Sequence, residues 1–220
     1  MASSPEPDLR VRRAVLADAP GIVAVLAVIV NERVHSAIDR VWSVDEERHY
    51  LESLSAREAI HVVVNGAGHI VGLQTLDRCS AQLDSMAHVG QVGTFLLPAW
   101  RGQGLGRALW RATAAFAREA RYEKLVVQIR SANAAAQCFY RALGFAECGR
   151  LSRQVMAVTR GRDKATLRWI MCALPGGIPQ RSNDGRSQIN EVRSPIDAQS
   201  RRFAPFRAAP AKDAPHGSWP

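Results

Sequence analysis

The chain has 220 residues, 47% of them hydrophobic, and a net charge of +9, enough for one full-sized core with length left over. Its longest apolar run, 21–30, is too short to span a bilayer, and its first eight residues are small, polar and acidic rather than a secretory leader, so a cytoplasmic protein without a membrane partner is expected. Cys79, Cys138, Cys148 and Cys172 lack C-x-x-C spacing and paired histidines, which argues against a metal site and against a disulfide scaffold.

In chain order, residues 1–7 are expected to be flexible. Leu9, Val11, Arg13 and Val15 then alternate as a half-buried strand. Asp18 is placed to cap a helix starting near Ala19 and Pro20 and running to about Glu32. Ser43 and Glu46 have the spacing of a capping box, opening a second helix through about Ser53. Two apolar runs, 60–64 and 70–76, flank Asn65-Gly66-Ala67-Gly68 and predict a hairpin. Leucine, valine and isoleucine alternate over 125–129 as a strand, and a helix follows over 133–143, ended by Gly144. Runs 145–148, 154–158 and 167–173 read as closing strands. The fold class is α/β (α+β): a mixed central sheet with helices on both faces. From Pro175 apolar periodicity gives way to Pro, Gly, Ser and Arg, so a domain over 8–174 and a disordered basic tail over 175–220 are expected.

The chain is organised around HVGQVGTFLLPAWRGQGLG, residues 88–106. An apolar strand ends at Pro98, which cannot donate to a sheet ladder. Arg101-Gly102-Gln103-Gly104-Leu105-Gly106 then leads into a stripe of Leu105, Leu109, Ala112 and Phe116. Glycines before a helix let backbone N–H groups converge where the helix dipole adds positive potential, which makes a phosphate cradle. A tight strand-to-helix connection without ligand is the alternative reading of the loop alone. The third glycine falls one residue early for a dinucleotide fingerprint, and no G-K-[ST] is present.

The pattern [QR]-x-x-G-x-[GA], met by Arg101, Gly104 and Gly106, resembles the pyrophosphate loop of the GNAT superfamily of N-acyltransferases. The resemblance extends to TFLLPAWRGQGLG, to Ser131-Ala132-Asn133 after the next strand, and to CFYRALGF at 138–145, and covers roughly 8–174. Through HVGQVGTF and GRLSRQV the chain is similar to bacterial small-molecule acyltransferases of the phosphinothricin-acetyltransferase-like group. It departs from them around TRGRDK at 159–164 and in the tail.

The resemblance implies direct attack of a primary amine of a small molecule or amino acid on acetyl-coenzyme A (acetyl-CoA), with a homodimer as one arrangement these folds adopt. The basic charge suits this polyanion; nucleic acid is not expected, because the arginines are scattered rather than clustered with aromatics. Amides of Arg101, Gly102, Gln103, Gly104, Leu105 and Gly106 are expected to hold the pyrophosphate, with the Arg101 side chain adding charge if it faces inward. The strand edge at Thr94, Phe95 and Leu96 is expected to bond the pantetheine as an added strand would, with Asn133 contacting the same arm. Gly93 suggests a bulge or close approach that splays the sheet. Tyr140 is the candidate acid for the departing thiolate. Relatives often use a glutamate on the central strand as base; Gln91 stands there and cannot serve, so His88 becomes the candidate base, an exposed strand-end histidine being the alternative. Glu32 is placed toward the substrate cleft or toward solvent, and Asp84 on a mobile loop lining that cleft. Acetylation of a protein N-terminus or lysine, and a non-catalytic coenzyme-binding module, are the rival readings.

Overall fold

The computed structural model describes residues 8–33, 35–36, 38–156 and 164–173. The elements are β1 (Arg10–Arg13), α1 (Ala19–Glu32), α2 (Val44–Ser53), β2 (Ala59–Val64), β3 (Ile70–Arg78), β4 (Val89–Leu96), α3 (Leu105–Glu119), β5 (Lys124–Arg130), α4 (Ala134–Ala142), β6 (Ala146–Met156) and β7 (Lys164–Ala173). The strands form one seven-stranded sheet in the order β1-β2-β3-β4-β5-β7-β6. Only β4 and β5 run parallel; the other neighbours are antiparallel. This is the expected mixed sheet. The expectations for residues 1–7, for TRGRDK up to residue 163 and for the tail at 175–220 fall outside the described residues.

Local chemistry explains most of the element boundaries. The Ser43 hydroxyl accepts from the Glu46 amide while the Glu46 carboxylate accepts from the Ser43 amide, so the capping box forms as read. In the hairpin turn, Asn65 Oδ1 accepts from the amides of Ala67 and His69, and Gly68 takes a φ of 81°. Asp18 is a correction. It stands before α1, but its carboxylate makes no bond to the helix amides; it takes two bonds from Arg12, at 2.6 and 2.8 Å, and one from the Val15 amide. A guanidinium fork outcompetes a cap because the bond is charge-assisted on both sides. Residues 146–148 and 154–156 of two expected runs also join into a single strand, β6, which keeps pairing with β7 across register shifts at Glu147/Gly149 and Leu151/Val155; residues 157–158 lie outside the described residues.

Both faces of the sheet are covered. On one, Ile22, Val25, Leu26 and Ile29 of α1 pack with Tyr50 and Leu51 of α2 against Ile60, Val62, Leu73 and Phe95. On the other, Ala117 of α3 and Tyr140 of α4 pack with Phe145 against Leu76, Val92, Leu125, Val127 and Ile129. Complete burial of a side chain such as Leu26 or Leu76 stabilises by about 1.5–3 kcal/mol. Alternation along β3 therefore sends Leu73, Thr75 and Asp77 to the α1/α2 face, and Gln74 and Leu76 to the α3/α4 face.

Candidate active site

The parallel pair at the centre of the sheet comes apart. β4 and β5 are in register only at Val89–Lys124, Gly90–Leu125 and Gln91–Val126. Past Gln91, β4 continues its pairing with β3 through Leu96, while its edge toward β5 has no strand partner. A cavity of about 620 Å³ fills the gap, lined by β4 from Gln91 to Leu96, by β5 from Val127 to Arg130, and by α4. The β3–β4 register runs unbroken past Gly93, so the expected bulge is absent there. Gly93 is instead a position of close approach: a Cβ there would lie 3.1 Å from both the Phe95 ring and Thr75 Oγ1.

At the mouth of the cavity, Gly102 and Gly104 adopt left-handed φ angles of 75° and 81°, and Gly104 opens α3. Among the described residues, none of the amides from 102 to 106 donates to a backbone carbonyl. They lie at a helix N-terminus, where aligned peptide dipoles favour an anion. Gly102, Gly104 and Gly106 line the cavity, and open space surrounds the first two where a side chain would stand. A Cβ on Gly106 would meet the Phe139 ring at 3.0 Å, so that glycine lets the start of α3 pack on α4. Leu105 is buried in the core and Gln103 bonds the Ala99 carbonyl at 2.7 Å, so these two can offer only their amides.

Tyr140 reaches the cavity from α4, with only 2% of its surface exposed. Its hydroxyl lies 2.6 Å from Thr94 Oγ1, which also accepts from Gln74 Nε2 at 2.7 Å. With one Thr94 lone pair held by the amide, Thr94 can give its hydrogen to the phenol oxygen, leaving the phenol proton for a group in the cavity. Burial pushes the phenol pKa well above its ordinary value, against a smaller downward pull from the Thr94 bond. Tyr140 therefore holds its proton at neutral pH. Asn133 caps α4 through its Oδ1, which accepts from the Ala136 amide at 3.0 Å, and it too lines the cavity.

A profile of the Acetyltransferase (GNAT) family matches residues 29–145, more than half of the chain. The chain belongs to this family. No match was found among curated proteins. Solved structures share the fold: yncA of Salmonella typhimurium, with its cofactor acetyl-CoA, is 21% identical at a TM-score of 0.70, over 80% of this chain and 99% of that one. A phosphinothricin acetyltransferase from Sinorhizobium meliloti, in complex with acetyl-CoA, is 20% identical at 0.68, over 80% and 94%. A ribosomal-protein-alanine N-acetyltransferase from Brucella melitensis is 22% identical at 0.66, over 75% and 99%.

In this GNAT chain the opening brings together Thr94, Phe95, Leu96, Arg101, Gly102, Gly104, Gly106, Asn133 and Tyr140. Other expected residues stand elsewhere. His88 is exposed, and its carbonyl accepts from the amides of Glu123 and Lys124 at the end where the strands are still paired, opposite the opening. Glu32 is not among the cavity-lining residues: its carboxylate takes the Arg101 guanidinium at 2.6 Å. Arg101 also donates from Nε to the Leu96 carbonyl, so its side chain ties α1 to β4 rather than pointing toward the cradle. Asp84 starts a 3-10 turn with its side chain fully in solvent, 3.8 Å from Arg78, and does not line the cavity. Sequence reasoning missed Gln74, Asp77 and Arg130. The available signal was the polar Gln74, Thr75 and Asp77 interrupting an otherwise apolar strand.

Among the described residues, no helix is long and apolar enough to cross a membrane, and no group of three metal-ligating side chains is found.

Proposed function

We propose that this GNAT-family chain moves the acetyl group of acetyl-CoA to a primary amine of a small molecule or amino acid. The observation that carries the reading is one continuous cavity joining three features: a glycine cradle, an unpaired strand edge, and a buried tyrosine that retains its proton. The residues present fit the coenzyme. Free amides at 102–106 suit a pyrophosphate. The edge of β4 at Thr94, Phe95 and Leu96 suits the amides of a pantetheine arm, which would add as a strand between β4 and β5. Asn133 can meet the same arm from the start of α4.

Tyr140 is then the acid that returns a proton to the sulfur as the carbon–sulfur bond breaks. Desolvation raises the basicity of a thiolate leaving into the same low-dielectric space, as it raises that of the phenol, so the two stay close enough for the proton to pass. A cavity near 620 Å³ suits the arm and a small acceptor rather than a peptide chain. The test is incubation with acetyl-CoA and separate panels of small amines and short peptides, following free thiol. Turnover with small amines is expected. Turnover confined to peptides would move the acceptor to protein, and thiol release with neither would remove the reading.

A further inference from the structure

The charged side chains lining the cavity are mostly basic, Arg101, Arg107 and Arg130, yet they include one acid. Among the described residues lining it, Asp77 alone carries a carboxylate. Asp77 lies on β3 directly across from Gln91 of β4, and the two share the α1/α2 face of the sheet. The Tyr50 hydroxyl of α2 donates to Asp77 Oδ1, fixing the carboxylate from above. Tyr140 approaches the same cavity from the α3/α4 face. Acid and carboxylate thus enter from opposite sides of the sheet, at the point where it opens.

Resting on the acetyl-transfer reading, we propose that Asp77 is the carboxylate that receives the acceptor, binding it as an ammonium and taking its proton. The acceptor class is therefore cationic primary amines. The step balances as follows. One proton passes from the ammonium nitrogen to Asp77, and the freed lone pair forms the new carbon–nitrogen bond at the thioester carbonyl. The carbon–sulfur bond breaks, its electron pair leaves on sulfur, and Tyr140 protonates that sulfur. The nitrogen gives up a second proton, which restores the phenol directly or through water, and Asp77 releases the first proton to solvent. Products are the amide, free coenzyme thiol and one proton. Gly93, between Gln91 and Phe95 on the same face, lets the Phe95 ring and the Thr75 hydroxyl close over β4 beside Gln91.

The titratable and charged groups around Asp77 include Tyr50 from α2, Arg78 beside it on β3, and Tyr122 after α3, whose hydroxyl feels the charges of Arg57, Glu58, Arg78 and Asp77 together; His35, Arg101, Arg107 and Arg130 stand around the cavity. At constant ionic strength these set the local potential for parent and variant alike, so the comparison between the two isolates Asp77.

The experiment compares the full chain with its Asp77→Asn variant, using the best acceptor from a panel of L-amino acids, alkylamines and arylalkylamines. Asp77→Asn is nearly isosteric, and an acetyl-CoA affinity within about twofold of the parent confirms that it folds. At pH 7 its kcat/KM for the amine should fall about 10²–10⁴-fold. The deficit should then shrink roughly tenfold per pH unit toward the amine's own pKa, because solvent supplies the free amine the variant cannot make. Adding Gln91→Glu returns a carboxylate to the facing strand and should recover at least tenfold at pH 7. Parent-like turnover, a deficit of equal size at every pH, or no recovery in the double variant overturns the assignment while leaving acetyl transfer standing. Failure of the parent itself on every amine overturns acetyl transfer to amines, and this proposal with it.

Discussion

The two ends of the cavity are built from different materials. At one end, the loop 101–106 offers backbone: amides set by Gly102 and Gly104 in left-handed conformations, at the start of one helix. At the other, Asp77, Tyr50 and Gln91 offer side chains drawn from β3, α2 and β4, brought together by the register of the sheet and by the hydrogen bond from Tyr50 to Asp77. A backbone site needs residues that permit a conformation, and it appears in sequence as a compact motif. A side-chain site needs residues that converge in space, and nothing local marks it. Tyr140 stands between the two kinds. It is a side chain, but it comes from α4, whose Phe139 packs against Gly106 of the cradle.

If that division is right, damage at each end should have its own signature. The largest effect belongs to Tyr140→Phe, which keeps the ring and its contacts with Phe139 and Phe145 and removes only the proton donor. Single-turnover acetyl transfer should fall about 10²–10⁴-fold with acetyl-CoA affinity held within a few-fold. An unchanged chemical step would show that the hydroxyl serves packing.

Next in size is Gly104→Val, which tests the backbone end alone. The residue sits at a φ of 81°, where a β-branched side chain is strained and crowds the cradle. Calorimetry should show acetyl-CoA binding weakened at least tenfold, about 1.4 kcal/mol. Unchanged affinity in the folded variant would break the assignment of the loop.

A smaller effect, confined to stability, is expected away from both ends. His61 is buried on β2, 3.0 Å from Thr113 Oγ1, and burial, then the charge of Arg13, pushes its pKa down to about 4. An unfolded histidine titrates near 6.5 and so takes up the extra proton first. His61 thus contributes its full stability above about pH 6.5, and loses it as pH falls toward about 4. Denaturant melts of His61→Gln should show a flatter decline across that window, with acetyl-CoA affinity unmoved at pH 7. A parent-like slope would mean that the histidine is not held neutral by the fold.

The smallest effect is expected from His88→Ala. Its side chain is exposed at the paired end of β4, so turnover should stay within about twofold of the parent across pH 6–9. A lost acidic limb in the rate profile would return His88 to the reaction.

These contrasts also explain what could be read before the structure was known. The capping box at Ser43, the Asn65 turn and the glycine loop were legible because each is local chemistry over four to six residues. Thr94, Asn133 and Tyr140 were legible through motifs that travel with the loop. The ion pair of Glu32 with Arg101 was not legible, because neither side chain can announce a partner 69 residues away, so the direction of both side chains stayed open until the fold was known. Asp77 went unnoticed because its importance lies in facing Gln91, a fact of strand register rather than of spacing. The opening between β4 and β5 was expected from a bulge or close approach at Gly93; the bulge is absent, and the opening arises where the parallel pairing stops after Gln91.

The central claim, that acetyl-CoA enters this opening and lies on backbone at one end of it, is tested most directly by amide hydrogen exchange with and without acetyl-CoA. The amides of Thr94 and Leu96 face the side of β4 that has no partner strand at β5, and those at 102–106 have no backbone acceptor among the described residues; both sets should exchange more slowly when the ligand is bound, while His88 and its surroundings stay unchanged. Binding without slowed exchange at either stretch, or with protection centred elsewhere on the sheet, would contradict it.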